Sequence, residues 1–178
     1  MGLFDWFTST PSNVTVLDDI IWLAKEAKFK GIVQMVARNL VGDDRPQTIV
    51  LVAVPIVGTI AAGYPVLASE NICGEVLVEE AVVRSGSHFA LKASGRSMID
   101  AGIQPGDIVI VRQQQLAENR DIVVALLNDE TTLKRLHYSD GAIELRPENQ
   151  RFKPIVVGPE DDLRILGKVV AVRRSAGK

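Results

Sequence analysis

The chain reads as a mainly β protein with a short helical segment at its N-terminus. Three observations predict this. Nine β-branched runs recur from Thr48 onward, turn-forming clusters separate them, and apolar residues at helical spacing gather in residues 1–47. The 178 residues are 47% apolar and 24% charged. That is a globular balance, enough for one domain or a domain with a short appendage.

In chain order, Thr8-Ser9-Thr10-Pro11-Ser12-Asn13 is a turn-forming run. Leu17, Ile20, Ile21, Ala24 and Ala27 then predict a helix, broken by Gly31. Ile32, Met35, Val36 and Leu40 predict a second short helix, closed by Gly42, and Gly42–Pro46 forms a turn or linker. The expected division is therefore an atypical helical segment over 1–47 and a β domain over 48–178. Strands are predicted at Ile49–Val54, Glu75–Val78, His88–Ala93, Asp107–Val111, Ile122–Leu127, Thr131–Leu136, Ala142–Leu145, Lys153–Val157 and Leu163–Val172. Asn128-Asp129-Glu130 predicts a hairpin, and the even spacing predicts a compact, mostly antiparallel arrangement.

Composition removes several function classes. The net charge of −2 supplies no global basic excess, so nucleic-acid binding would need a local patch. Cys73, the one cysteine, makes no intrachain disulfide and no multi-thiolate metal site, which suits a reducing cytoplasm; it is expected to be partly buried. His88 and His137, the two histidines, have no partner at metal-ligand spacing, so no metal is expected, and a Ser-His-Asp triad is a poor fit. The longest apolar stretch, Ile49–Gly63, is too short to span a membrane and is interrupted by Pro55, Gly58 and Thr59. The start, MGLFDWF, lacks the basic region of a secretion signal, and Trp6 stands where myristoylation requires Ser or Thr. Its Leu3, Phe4, Trp6 and Phe7 suit an apolar arm packed on its own domain, with contact to a membrane or a partner as the alternative.

The chemistry concentrates in Lys92–Val111. Ser97 follows a strand in Ser94-Gly95-Arg96-Ser97-Met98, where consecutive backbone N–H groups could converge on one oxygen. A serine hydroxyl needs a base, and with so few histidines the natural base is a lysine made neutral by burial. Lys134, within the strand run Thr131–Leu136, meets that description. Residue type and spacing alone leave the bland alternative open: a turn serine and a solvated strand lysine.

Several motifs narrow the choice. Ala93–Asp100, followed by Gly102-Ile103 and Gly106-Asp107, resembles the nucleophile motif of the LexA/UmuD family of self-cleaving peptidases. Thr132-Leu133-Lys134-Arg135-Leu136 resembles its lysine motif. Arg146-Pro147-Glu148-Asn149 and Phe152–Val157 resemble the segment that comes next in LexA proteins. Upstream, Val54–Pro65 resembles the self-cleavage region, with Ala62-Gly63 as the scissile bond. The resemblance runs over residues 54–173, with the motifs in the family's order.

The resemblance implies a LexA-like peptidase β domain with a cleavage loop at 54–66, needing no cofactor. It implies Ser97 as nucleophile, Lys134 as base, and backbone amides at Arg96 and Ser97 as the oxyanion hole. Ala62 is small, Gly63 leaves the turn unopposed, and Val57, Ile60 and Val66 are suited to anchor the loop in an apolar groove. Further implications are a RecA–single-stranded-DNA filament as activator, a homodimer in which Leu163–Val172 could pair with a second chain or simply complete the sheet, and operator DNA as ligand. The function implied is an SOS-response regulator that relieves repression by cutting itself. The alternative is a UmuD-like accessory protein without DNA binding. Residues 1–47 do not display the winged helix-turn-helix of LexA repressors: the turn Lys28–Gly31 lacks its pattern, and five basic residues stand against six acidic ones. On the expected helix Ile32–Leu40, Gln34, Arg38 and Asn39 are the candidates for base contacts. A third reading, signal peptidase, shares the Ser-Lys chemistry but normally needs a membrane anchor.

Overall fold

The computed structural model describes residues 32–37, 47–58, 60, 65–139 and 141–174. The chain divides into two compact units, Met1–Val52 and Ala53–Lys178. The predicted helix Leu17–Ala27, the turn Lys28–Gly31 and the N-terminal arm lie outside the described residues.

The first unit corrects the expectation of a second helix. Residues Ile32–Ala37 form strand β1, not a helix. It pairs antiparallel with the start of β2 (Gln47–Val57), with Ile32 opposite Val52 and Ala37 opposite Gln47. Ile32, Val33 and Val36 are β-branched and lose side-chain freedom in a helix, so a neighbouring strand outweighs the spacing of Ile32, Met35, Val36 and Leu40.

In the second unit, β2 continues through Val57 and is followed by β3 (Ile72–Glu79), β4 (His88–Lys92), β5 (Ile108–Gln113) and β6 (Ile122–Leu127). Next come β7 (Glu130–Ser139), β8 (Ala142–Arg146), β9 (Ile155–Val157) and β10 (Leu163–Arg173). The sheet order is β2-β4-β5-β10-β6-β7-β8-β9, with β3 on β2. Along the path from β4 to β9 neighbouring strands run antiparallel, whereas β2 and β4 are parallel through Ile56 opposite Ala90 and Val57 opposite Leu91. Three short 3-10 turns, Ser69–Asn71, Glu80–Val82 and Ile99–Ala101, punctuate the strands.

Local chemistry accounts for these elements. The β6–β7 hairpin closes through Asn128 (φ 48°) and Asp129 (φ 68°), and two positive φ angles are the requirement of the two-residue turn that matches strand twist. Alternation along β4 and β5 sends Phe89, Val109 and Val111 into one buried cluster and Ala90 and Ile110 into a second. A third cluster joins Val123 and Ala125 of β6 to Leu136 and Leu145. The C-terminal strand completes the sheet: β10 pairs with β6 through Leu163–Lys168 and with β5 through Gly167–Arg173, with irregular register between Ile165 and Gly167 and between Val169 and Ala171. Among the described residues, no helix is long and apolar enough to cross a membrane.

Candidate active site

Ser97 stands in the turn between β4 and the 3-10 turn Ile99–Ala101. Hydrogen bonds close the loop at its base: Ala93 N–H donates to Asp107 O (2.8 Å), and Gly106 N–H donates to Ala93 O (2.7 Å). Gly106 has φ +96°, a backbone state that a side chain would strain, and the buried Asp107 Oδ2 accepts from Gln104 N–H (2.8 Å). Within the loop, Met98 O accepts from the N–H groups of both Ala101 and Ile103 (3.1 Å each). Met98 and Ile103 are buried in the same cluster as Phe89, Val109, Val111 and Val124. The residue after the serine is thus an anchor, and the serine itself stays half-buried.

Lys134 extends from β7, where it stands opposite Val123. Its Nζ lies 3.1 Å from Ser97 Oγ, 2.8 Å from Thr132 Oγ1 and 3.1 Å from Leu133 O. All three partners are neutral oxygens, which occupy the three N–H bonds of an ammonium without a counter-charge. Desolvation by burial lowers the Lys134 pKa below its ordinary value. Four strand-to-strand steps separate β4 from β7 in the sheet order. A flat sheet would hold those strands about 19 Å apart; the five residues from Lys92 to Ser97 and the length of the Lys134 side chain help close that distance. β10, midway along that path, carries two register irregularities.

A second set of contacts grips the outer part of the serine loop. Asp100 N–H donates to Glu148 O (2.9 Å), and the buried Asn149 donates from Nδ2 to Arg96 O (2.8 Å). Glu148 is also ion-paired with Arg135, the residue after the lysine. A shallow hollow of about 740 Å³ borders this region, lined by Arg96, Ile99, Asp100, Asn149, Gln150, Arg151 and Phe152.

The fold therefore brings together Ser97 and Lys134 and places Arg96 at the adjoining turn. Ala62 and Gly63 lie outside the described residues, but both flanks of that segment are visible. Val57, Ile60 and Val66 are buried in the cluster that contains Met98. Gln34 lies on strand β1 rather than on a helix, and Arg38 and Asn39 are outside the described residues. Cys73, expected to be partly buried, is exposed on β3, whose inward positions are the even-numbered Gly74, Val76 and Val78. Its Sγ donates to Ile56 O at 3.5 Å. His88 takes part in a local contact between Nδ1 and Gly86 O (3.1 Å).

Sequence reasoning assigned no role to Thr132 or Asn149. Thr132 was within reach, because residues two apart on a strand share a face and Lys134 is two residues on. Asn149 carried no such signal, since its contact with Arg96 spans distant parts of the chain.

Residues 55–170 match the family model described as Peptidase S24-like. The chain is similar to a LexA repressor of Oleidesulfovibrio alaskensis, 56% identical over 92% of this chain and 79% of that protein. A LexA repressor of Magnetococcus marinus is 57% identical over 74% of this chain and 56% of its own length. One of Syntrophomonas wolfei is 46% identical over 68% and 58%. The chain thus spans little more than half the length of the latter two repressors. A family match over most of the chain, on a β fold carrying the motifs in order, establishes that the chain belongs to the Peptidase S24-like family, the LexA/UmuD lineage of self-cleaving peptidases.

Proposed function

We propose that the protein is a LexA-like regulator of the SOS response that inactivates itself by cutting Ala62–Gly63 with a Ser97–Lys134 dyad. The observation that carries this reading is the 3.1 Å approach of Lys134 Nζ to Ser97 Oγ, with the lysine's proton affinity lowered by burial. Neutral Lys134 takes the hydroxyl proton as Ser97 Oγ bonds to the Ala62 carbonyl carbon. The backbone N–H groups of Arg96 and Ser97 receive the developing oxyanion. The carbon–nitrogen bond breaks as Lys134 returns the proton to the Gly63 amine, and water then releases the acyl group from Ser97. The buried flanks Val57, Ile60 and Val66 support delivery of the loop, because they hold both of its arms in the cluster that contains Met98.

Three further elements belong to the proposal. The domain boundary near residue 47 separates a divergent DNA-binding region, acting on operator DNA, from the autopeptidase domain. A RecA–single-stranded-DNA filament activates cleavage by binding the docked form of the loop and shifting its population. The protein works in the cytoplasm as a homodimer. The UmuD-like alternative draws on the charge balance of residues 1–47, whereas similarity to a LexA repressor over 92% of the chain favours the repressor.

The test is incubation at alkaline pH followed by intact-mass measurement. The wild-type chain is expected to give fragments 1–62 and 63–178. Ser97→Ala is expected to give none, and Lys134→Ala a rate lower by about 10³-fold, the scale of a lost general base. Cutting at the same bond by Ser97→Ala would remove the mechanism. A gel shift on the chain's own promoter separates repressor from accessory protein.

A further inference from the structure

We infer that Asn149 is a positioning residue that aims the Ser97 amide at the oxyanion. The inference deepens the peptidase reading of the previous section and rests on it. The Arg96 carbonyl, which accepts from Asn149 Nδ2 at 2.8 Å, belongs to the same peptide group as the Ser97 N–H. A peptide group is planar and trans, so its C=O and N–H point in opposite directions as one rigid body. Fixing the Arg96 oxygen therefore fixes the direction of the Ser97 N–H, which an oxyanion hole needs set before reaction begins. Donation to the carbonyl also polarises the amide and strengthens its N–H as a donor.

The surroundings make Asn149 a rigid support. Its side chain is buried, and its Oδ1 accepts from Arg151 N–H (3.0 Å), which orients the amide with its nitrogen toward Arg96. Its own carbonyl accepts from Phe152 N–H (3.0 Å). The preceding Glu148 binds the serine loop through Asp100 N–H and ties β7 through Arg135. One short turn thus holds the serine loop at Arg96 and Asp100 and the lysine strand at Arg135. Asn149 contributes no proton and touches no reacting atom.

Asn149→Asp isolates the donor. The carboxylate keeps an oxygen for Arg151 N–H but offers no hydrogen to Arg96 O. The experiment measures self-cleavage across pH and compares plateau rates, where Lys134 is fully neutral and any effect of the new charge on its titration drops out. It also measures covalent labelling of Ser97 by a fluorophosphonate, which needs no docked loop, and the thermal midpoint. Both Asn149→Asp and Asn149→Ala are expected to lose about 10- to 100-fold in plateau cleavage and in labelling, less than the roughly 10²- to 10³-fold cost of deleting an oxyanion donor outright. Asn149→Ala, which adds no charge, is expected to keep the wild-type midpoint of the pH profile. A merely structural residue would lower the melting point and leave the folded fraction reacting at the normal rate. Wild-type plateau rates in either folded variant overturn the inference, as does a failure of both variants to fold. If the wild-type chain neither cleaves nor labels, the peptidase reading itself falls.

Discussion

Lys134 carries opposing demands. Its burial disfavours the ammonium, while Ser97, Thr132 and the Leu133 carbonyl solvate it. Because desolvation lowers its pKa, self-cleavage should rise with pH and level off with a midpoint below the ordinary lysine value of 10.5. Thr132→Val removes an acceptor of the ammonium and should move that midpoint to lower pH, read from rates across a pH series. The same shift affects stability. Below the folded-state pKa both folded and unfolded chains hold the proton, and the cost of burying the charge stands in full. Between the lowered folded pKa and the ordinary unfolded one, the unfolded chain binds more protons, so stability increases as pH rises. Lys134→Met should therefore raise the melting temperature at neutral pH, and the gain should shrink as pH approaches 10.5. A constant gain across that range would assign the effect to packing.

Strand β10 is sterically constrained at Gly167. A Cβ at Gly167 would sit 2.4 Å from Arg112 O and 2.6 Å from Val111 Cγ1, so β5 and β10 approach as closely as they do only because that side chain is missing. Gly167→Ala should cost about 1–3 kcal/mol, measurable by urea unfolding. The strands of this sheet were legible because β-branched runs and turn clusters report local preference, and Asn128-Asp129 even specified its hairpin. β1 was not, because its apolar positions satisfy the helical period and its identity depends on pairing with β2. The proposed site was legible at Ser97 and Lys134, which stand in the two motifs and whose side chains meet at 3.1 Å. It was not legible at Asn149, whose significance lies in which distant carbonyl it meets.

For the whole molecule, enzyme and substrate are one chain on the proposed reading. Cleavage should obey first-order kinetics with a rate constant unchanged over a hundredfold range of protein concentration. A rate constant that rises with concentration would mean that one chain cuts another. The placement of β2 governs the fate of the two fragments once the bond is cut. Ile56 and Val57 are paired with β4, and Val54, Val57 and Ile60 are buried, yet all precede Ala62. Cutting at Ala62–Gly63 would therefore leave the N-terminal fragment still seated in the sheet of the C-terminal one. Its departure would resemble a ligand leaving a receptor, governed by a dissociation rate with its own temperature dependence. Such a switch would run on two clocks, one set by peptide chemistry at Ser97 and one by the release of a single strand.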